Sequence, residues 1–215
     1  MKKRIRIGID LDGVLVDFSS EFYKMARKMY GDRMPVGIKQ SEIRAWSFHD
    51  WYPITKEEER EVFQALAKVE NFWFTPKPLD MDALDALRAL VSEHRDQVDI
   101  YFITNRLVTE GETVLNQTIA WLQKFDWNAP QVMVTKDKGK MAKVLELDYF
   151  IDDNLDNVED VYSNYASYPI GGGERCKVYT LDYLYNRGGV YADRIKRVKS
   201  LFEFIADIIE ELKNE

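Results

Sequence analysis

Asp10-Leu11-Asp12-Gly13-Val14-Leu15-Val16-Asp17 follows directly on Arg4-Ile5-Arg6-Ile7-Gly8-Ile9. The leading segment alternates charged and apolar side chains, the pattern of a β-strand. The octet then places two aspartates two residues apart, at the strand's end and before a tight Gly turn. Successive strand residues face opposite ways, but where the strand ends both carboxylates can reach one crevice. Like charges so close repel unless a cation or a proton lies between them. Mg²⁺, a hard ion that prefers carboxylate, carbonyl and water oxygens, is the natural occupant. Taken alone, Asp-Leu-Asp-Gly also reads as a strand cap and turn, because Asp-Gly pairs are common turn formers.

Other stretches remove that second reading. Short apolar runs at 4–9, 98–103, 131–134, 148–151 and 176–180 alternate with longer amphipathic segments. This order predicts an α/β fold, a Rossmann-like parallel sheet flanked by helices. One helical stripe is Leu84, Leu87 and Val91; another is Leu115, Ile119, Leu122 and Phe125. The final helix is expected to carry Val198, Leu201, Phe202, Ile205, Ile208, Ile209 and Leu212 as a continuous apolar face. Residues 18–76 interrupt the alternation with helical patterns (Phe18, Phe22, Met25, Met29; then Val62, Phe63, Leu66) and many aromatics. The expected organisation is a catalytic core of 1–17 and 77–215, with 18–76 a small helical cap above the strands' carboxyl ends. Thr75-Pro76-Lys77-Pro78 is the return linker. Gly171-Gly172-Gly173 lacks the spacing of a phosphate loop and reads as a flexible loop.

Open α/β sheets bind ligands beyond the carboxyl ends of their strands, at a topological switch point. Three of the expected strands end in chemically loaded residues: Asp10, then Thr104-Asn105-Arg106, then Asp152-Asp153-Asn154. Between the last two, Thr135-Lys136-Asp137-Lys138 opens a helix. A carboxylate pair, a hydroxyl, a lysine and a second carboxylate pair in this order do not arise readily as independent turns.

Composition bounds the partners. The 215 residues suit one ordinary domain or a core with an insertion, and 46% are hydrophobic, enough for a sizeable core. A net charge of −7 argues against a nucleic-acid polymer, whose recognition relies on basic surface. The Lys2-Lys3-Arg4 cluster is a solvated strand start. Cys176 is the only cysteine, so no internal disulfide forms. His49 and His94 lie far apart without a zinc motif. No signal peptide or membrane span is read, so the expected location is cytoplasmic.

The two motifs, Asp-Leu-Asp-Gly-Val-Leu-x-Asp and a terminal Ile-Asp-Asp, resemble the phosphatase side of the haloacid dehalogenase superfamily. The style is that of the 5′(3′)-deoxyribonucleotidase-like group, and the likeness covers almost the whole chain. Phe72-Trp73 with Pro76 and Pro78, and the late Tyr185-Asn186-Arg187 and Arg197-Val198, resemble it too. The resemblance implies that Asp10 is a nucleophile forming an aspartyl-phosphate and Asp12 the acid and base. A carboxylate approaching a phosphate is repelled, by about 4 kcal/mol for unit charges ~4 Å apart at an effective dielectric near 20. Mg²⁺, on Asp10, the Asp12 carbonyl and Asp153, would cancel that charge. Thr104 and Asn105 would hold phosphoryl oxygens, and Lys138 would balance charge.

Within this pattern Asp153 is favoured over Asp152 as metal ligand, Asp152 orienting a ligand water or Lys138. Lys136, Lys140 and Lys143 are the alternatives to Lys138. The relatives usually place serine after the threonine, where this chain has Asn105. Arg106 either contacts a second phosphate or an acid on the substrate, or is a solvated loop arginine. Phe72 and Trp73 occupy positions of a hydrophobic wall for the base, Trp73 the stronger candidate, although most of these rings form the cap's own core. Asp17 reads as structural. The implied activity is Mg²⁺-dependent hydrolysis of a small phosphorylated substrate, a nucleoside 5′-monophosphate. The alternatives are another phosphorylated metabolite, or a non-catalytic nucleotide-binding protein.

Overall fold

A computed structural model describes residues 4–36, 42–166 and 176–214. Lys2, Lys3 and the Gly171–Gly173 run therefore lie outside the described residues. Among the described residues six strands form one parallel sheet in the order β3-β2-β1-β4-β5-β6. They are β1 (Ile5–Ile9), β2 (Val98–Thr104), β3 (Gln131–Val134), β4 (Tyr149–Asp152), β5 (Lys177–Leu181) and β6 (Lys196–Val198). The chain runs from β1 to β2 and β3 on one side, then returns to lay β4 against β1's other edge. This reversal makes the gap between β1 and β4 the switch point.

The seven α-helices of the described residues are α1 (Phe18–Tyr30), α2 (Lys56–Ala67), α3 (Met81–Glu93), α4 (Val114–Lys124), α5 (Lys138–Leu145), α6 (Leu155–Ala166) and α7 (Leu201–Asn214). The central strands are covered on both faces. One layer joins Ile7, Ile9, Leu84, Leu87, Trp121, Phe204 and Ile208; the other joins Ile103, Ala142, Phe150, Val158 and Val178. Burial on both faces is why β4 and the second half of β2 read as near-continuous apolar runs, while β1 keeps its alternation through half-buried Arg6.

Between β1 and α3 the described chain carries α1, α2 and short 3-10 turns, without a strand of the sheet. Its apolar residues form a cluster of their own around Phe22, Tyr52, Val62, Leu66 and Phe72, with Val114 contributed from α4. Phe22 stacks on Phe48 with centroids 3.7 Å apart. Exit and return strands of chain are stitched together: Asp17 N–H donates to the Lys77 carbonyl and Leu79 N–H to Leu15. Asp17 itself caps α1, accepting from the Ser20 amide at 3.1 Å, a structural task.

Three details differ from the sequence expectation. Val198 is not on the last helix: it is in β6, paired with Leu181, and α7 begins at Leu201. A three-residue edge strand is too short for its period to be seen. Phe202 of α7 is exposed, the buried stripe being Leu201, Phe204, Ile205, Ile208 and Leu212. On α4 the buried face is Val114, Gln117, Thr118, Trp121 and Leu122, and Leu115 is exposed. Two polar residues take core positions there because each has hydrogen-bond partners toward the site, which an apolar count overlooks.

Candidate active site

The carboxyl ends of β1, β2 and β4 bring together most of the residues that the sequence singled out. Asp10 follows β1 and is tied to β4 by its amide, which donates to the Ile151 carbonyl at 3.0 Å. Residues 11–16 then fold into a tight turn, the amides of Val14, Leu15 and Val16 all donating to the Leu11 carbonyl. Gly13 holds φ at +84°, and a Cβ there would lie 2.0 Å from Asp153 Oδ2. Only glycine satisfies both the backbone and the close approach of Asp153, the residue that follows β4.

Lys138, the first residue of α5, is buried and joins the two strands. Its Nζ donates to Asp10 Oδ1 and to Asp152 Oδ2, each at 2.6 Å. Lys136, Lys140 and Lys143 are exposed. Asp152 is saturated: it also accepts from the Asn154 amide and from Asn157 Nδ2. Asp153 differs. Oδ2 accepts from the Tyr185 hydroxyl at 2.5 Å, while Oδ1 is buried with no hydrogen-bond partner among the described residues. Asn186 Nδ2 holds the Asp153 carbonyl at 2.8 Å and so fixes this turn.

Asp10, Asp152 and Asp153 each place a carboxylate oxygen within 4.8 Å of the others. Burial first, then the charge of Asp152, pushes the Asp10 carboxyl up to about 7 against the pull of Lys138. Burial, then Asp152 and Asp10, raises Asp153 well above the usual carboxylate range, opposed by the Tyr185 hydrogen bond. Burial works against the charge on Lys138, but Asp10 and Asp152 more than offset it and its pKa is raised. One orphaned buried oxygen in an excess of carboxylates is a donor set that fits a hard divalent cation.

Thr104 ends β2 with its hydroxyl 3.5 Å from Asp12 Oδ2. Asn105 is exposed beside it and faces the same cleft. Arg106 corrects the sequence reading. It is neither a solvated loop arginine nor part of the cleft lining: its buried guanidinium grips Asp12, Nε and Nη2 each donating at 2.9 Å. Phe72 is corrected as well. It is buried in the helical segment's apolar cluster and does not line the cleft, because its neighbour Trp73 takes the inward position.

The cleft above these groups measures about 530 Å³. Its floor is Asp10, Asp12, Thr104, Asn105, Lys138 and Asp153; its opposite wall includes Phe18, Trp46, Phe48, Phe63 and Trp73 from the helical segment. Tyr185, Asn157 and Glu59 were missed as site residues. Asn157 sits in the first turn of α6 after Asp152, a spacing that could have flagged it. Tyr185 reaches Asp153 across 32 residues; the Tyr185-Asn186-Arg187 segment carries part of the resemblance, but nothing local marks it as a site residue. Glu59 accepts from the Phe48 amide and pairs with His49, both in the helical segment. His94 caps α3, away from the cleft.

The Rossmann-like sheet, with paired carboxylates and a buried lysine at its switch point, is the fold of haloacid dehalogenase-like proteins. A haloacid dehalogenase-like family hydrolase of Streptococcus pneumoniae shares that fold at a TM-score of 0.55 and 11% identity, over 97% of this chain and 100% of the other. The family model described as 5′ nucleotidase, deoxy (Pyrimidine), cytosolic type C protein matches residues 3–168, and the chain belongs to this family. It is thus a phosphoric monoester hydrolase of the nucleotidase kind. A Chlorobaculum tepidum protein provisionally assigned as a 5′(3′)-deoxyribonucleotidase is 26% identical over 160 residues, 73% of each chain. The human mitochondrial 5′(3′)-deoxyribonucleotidase is 25% identical over 157 residues, 72% of this chain and 64% of the human one. Among the described residues no helix is long and apolar enough to cross a membrane.

Proposed function

We propose that this protein hydrolyses nucleoside 5′-monophosphates with Mg²⁺, through an aspartyl-phosphate on Asp10, beneath a cap formed by residues 18–76. The observation that carries the reading is the buried Asp10–Lys138–Asp152 chain beside the unpartnered Asp153 oxygen, open to one cleft.

In this reading Asp10 attacks phosphorus, the P–O ester bond breaks, and its electron pair leaves with the alcohol oxygen. Asp12 supplies the proton to that oxygen. Water then attacks phosphorus as Asp12 takes its proton, the bond to Asp10 breaks, and inorganic phosphate departs. Thr104 and Asn105 hold phosphoryl oxygens and Lys138 balances charge at the transferring group. Asp152 positions Lys138, and the Asp10 carboxylate, the Asp12 carbonyl and Asp153 would hold the metal. When bound, Mg²⁺ neutralises charge between carboxylate and phosphate and orients the phosphoryl group.

The substrate class rests on the cleft's opposite wall. Phe18, Phe48, Phe63 and Trp73 line the cleft beside the phosphate floor, aromatic surroundings suited to a base. Nucleotidase relatives and the family description support the same choice. The segment 18–76 acts as a cap because it builds that wall from its own apolar cluster while the chemistry stays on the strands.

The test is phosphate release from ribo- and deoxyribonucleoside monophosphates and sugar phosphates, with Mg²⁺ and with EDTA, beside an Asp10→Asn variant. Expected is metal-dependent turnover strongest on nucleotides and lost in the variant. Turnover confined to other phosphates would remove the substrate assignment and leave the chemistry; turnover surviving Asp10→Asn would remove the nucleophile.

A further inference from the structure

Asp12 has only two side-chain torsions, yet the acid that protonates a leaving oxygen must be aimed within hydrogen-bond reach of it. Something must fix the carboxylate, and Arg106 is built to do so. Its Nε donates to Asp12 Oδ2 and its Nη2 to Oδ1, both at 2.9 Å, the parallel fork that locks a carboxylate plane. The guanidinium is itself held. Nη1 donates to Thr118 Oγ1 at 3.0 Å, and the Thr118 hydroxyl donates in turn to the Val114 carbonyl at 2.7 Å. The Trp73 ring lies 4.4 Å from the guanidinium carbon. Trp73 is anchored too, its indole N–H donating to the Leu107 carbonyl and its amide to Gln117 Oε1.

Contact with substrate does not account for this arrangement. The Arg106 side chain has no solvent exposure and is absent from the cleft lining, whereas Asp12 and Trp73 both face the cleft. Nor does the fork fill Asp12: Oδ1 keeps its second acceptor site, and Oδ2 takes beside it only the long 3.5 Å contact from the Thr104 hydroxyl. Arg106 stands behind the acid and aims it.

We propose that Arg106 is a positioning residue that aligns Asp12 with the leaving oxygen of alkyl phosphate esters, itself braced by Thr118 and the Trp73 ring. The proposal rests on the acid role of Asp12 given above. It also explains the buried polar face of α4: Thr118 and Gln117 face inward to hold, respectively, the guanidinium and the tryptophan that packs on it.

The test compares kcat/KM, which ends at ester cleavage, for the best nucleotide and for 4-nitrophenyl phosphate, whose leaving group departs without a proton. For Arg106→Leu the nucleotide value should fall on the order of 10²-fold, the scale of lost general-acid catalysis. The nitrophenyl value should fall less than about 10-fold, because that step does not use the acid. Arg106→Lys should recover little of the gap, since an ammonium lacks the fork. Thr118→Val should shift the ratio in the same sense by a few-fold, keeping both charges. In an Asp12→Asn background, Arg106→Leu should add almost nothing further.

Equal losses on both esters in the folded variants, or an undiminished effect in the Asp12→Asn background, would overturn the proposal. Should Arg106→Leu fail to fold by circular dichroism, the ester ratios of Arg106→Lys and Thr118→Val decide. A wild-type protein inactive on both esters with Mg²⁺ would refute the phosphatase reading itself, and the inference with it; an active wild type with unselective variants refutes the inference alone.

Discussion

Lys138→Met isolates the buried charge balance at the switch point. The ammonium is 2% exposed and its partners Asp10 and Asp152 are 7% and 0% exposed. At 2.6 Å and an effective dielectric near 20, each attraction amounts to about 6 kcal/mol before desolvation is charged against it. Methionine keeps most of the volume and none of the charge. It leaves three buried carboxylates, Asp10, Asp152 and Asp153, with oxygens inside 4.8 Å of one another, each pair repelling by at least ~3 kcal/mol on the same scale. Proton uptake by one carboxylate caps the cost, and loss of one member of a buried ionic group typically destabilises by about 3–5 kcal/mol. For a chain of this length that is a fall in Tm of roughly 6–20 °C.

Thermal unfolding by circular dichroism, in EDTA, measures it. Adding Asp152→Asn to Lys138→Met removes one of the three like charges and leaves only the Asp10–Asp153 pair, and Asn157 can turn its amide to meet the new one. The double variant should therefore regain a substantial part of the lost stability. If Lys138→Met melts within about 2 °C of the wild type, or Asp152→Asn deepens the loss, the buried triad is not the compensated unit argued here.

Gly13→Ala forces an unfavourable φ, on the order of 1–3 kcal/mol, and pushes Asp153 away from Tyr185; it should lower Tm and phosphatase activity together, and wild-type Tm in the variant would refute the close approach. Asp153→Asn should abolish Mg²⁺-dependent stabilisation, which at ~100 times Kd is worth about 2.7 kcal/mol in the wild type; an unchanged Tm increment on adding Mg²⁺ would place the metal elsewhere. Glu58 is held down to about 2 by Arg33 and then by the Thr55 amide, so its folded value lies below its unfolded one. Its contribution is therefore present above the ordinary value of 4.5 and fades as pH falls toward about 2. The Tm gap between wild type and Glu58→Gln should be small, because the pair is solvent-exposed, and should narrow across that window; a gap that widens in acid contradicts the assignment.

What the sequence discloses here follows from the range of each interaction. Strand ends carry local signatures: apolar alternation into Asp10, a run into Thr104, and Ile151 before Asp152-Asp153 each place a functional group at the sheet's rim. A parallel sheet then gathers those rims without further information, which is why the floor of the cleft was legible. Arg106 was not, because its burial depends on Asp12, Thr118 and Trp73 meeting it from three separate parts of the chain. The same cause misled the α4 stripe: Thr118 and Gln117 look like a solvent face until Arg106 and Trp73 are seen to need them. Tyr185 escapes for the same reason, its only distinction being a hydroxyl delivered to Asp153 from beyond β5. Local pattern specifies the groups that do chemistry, whereas the groups that aim them are specified by one another. In this fold the aiming groups take core positions on helices, so a polar residue on an otherwise apolar helical face is itself a pointer toward the site.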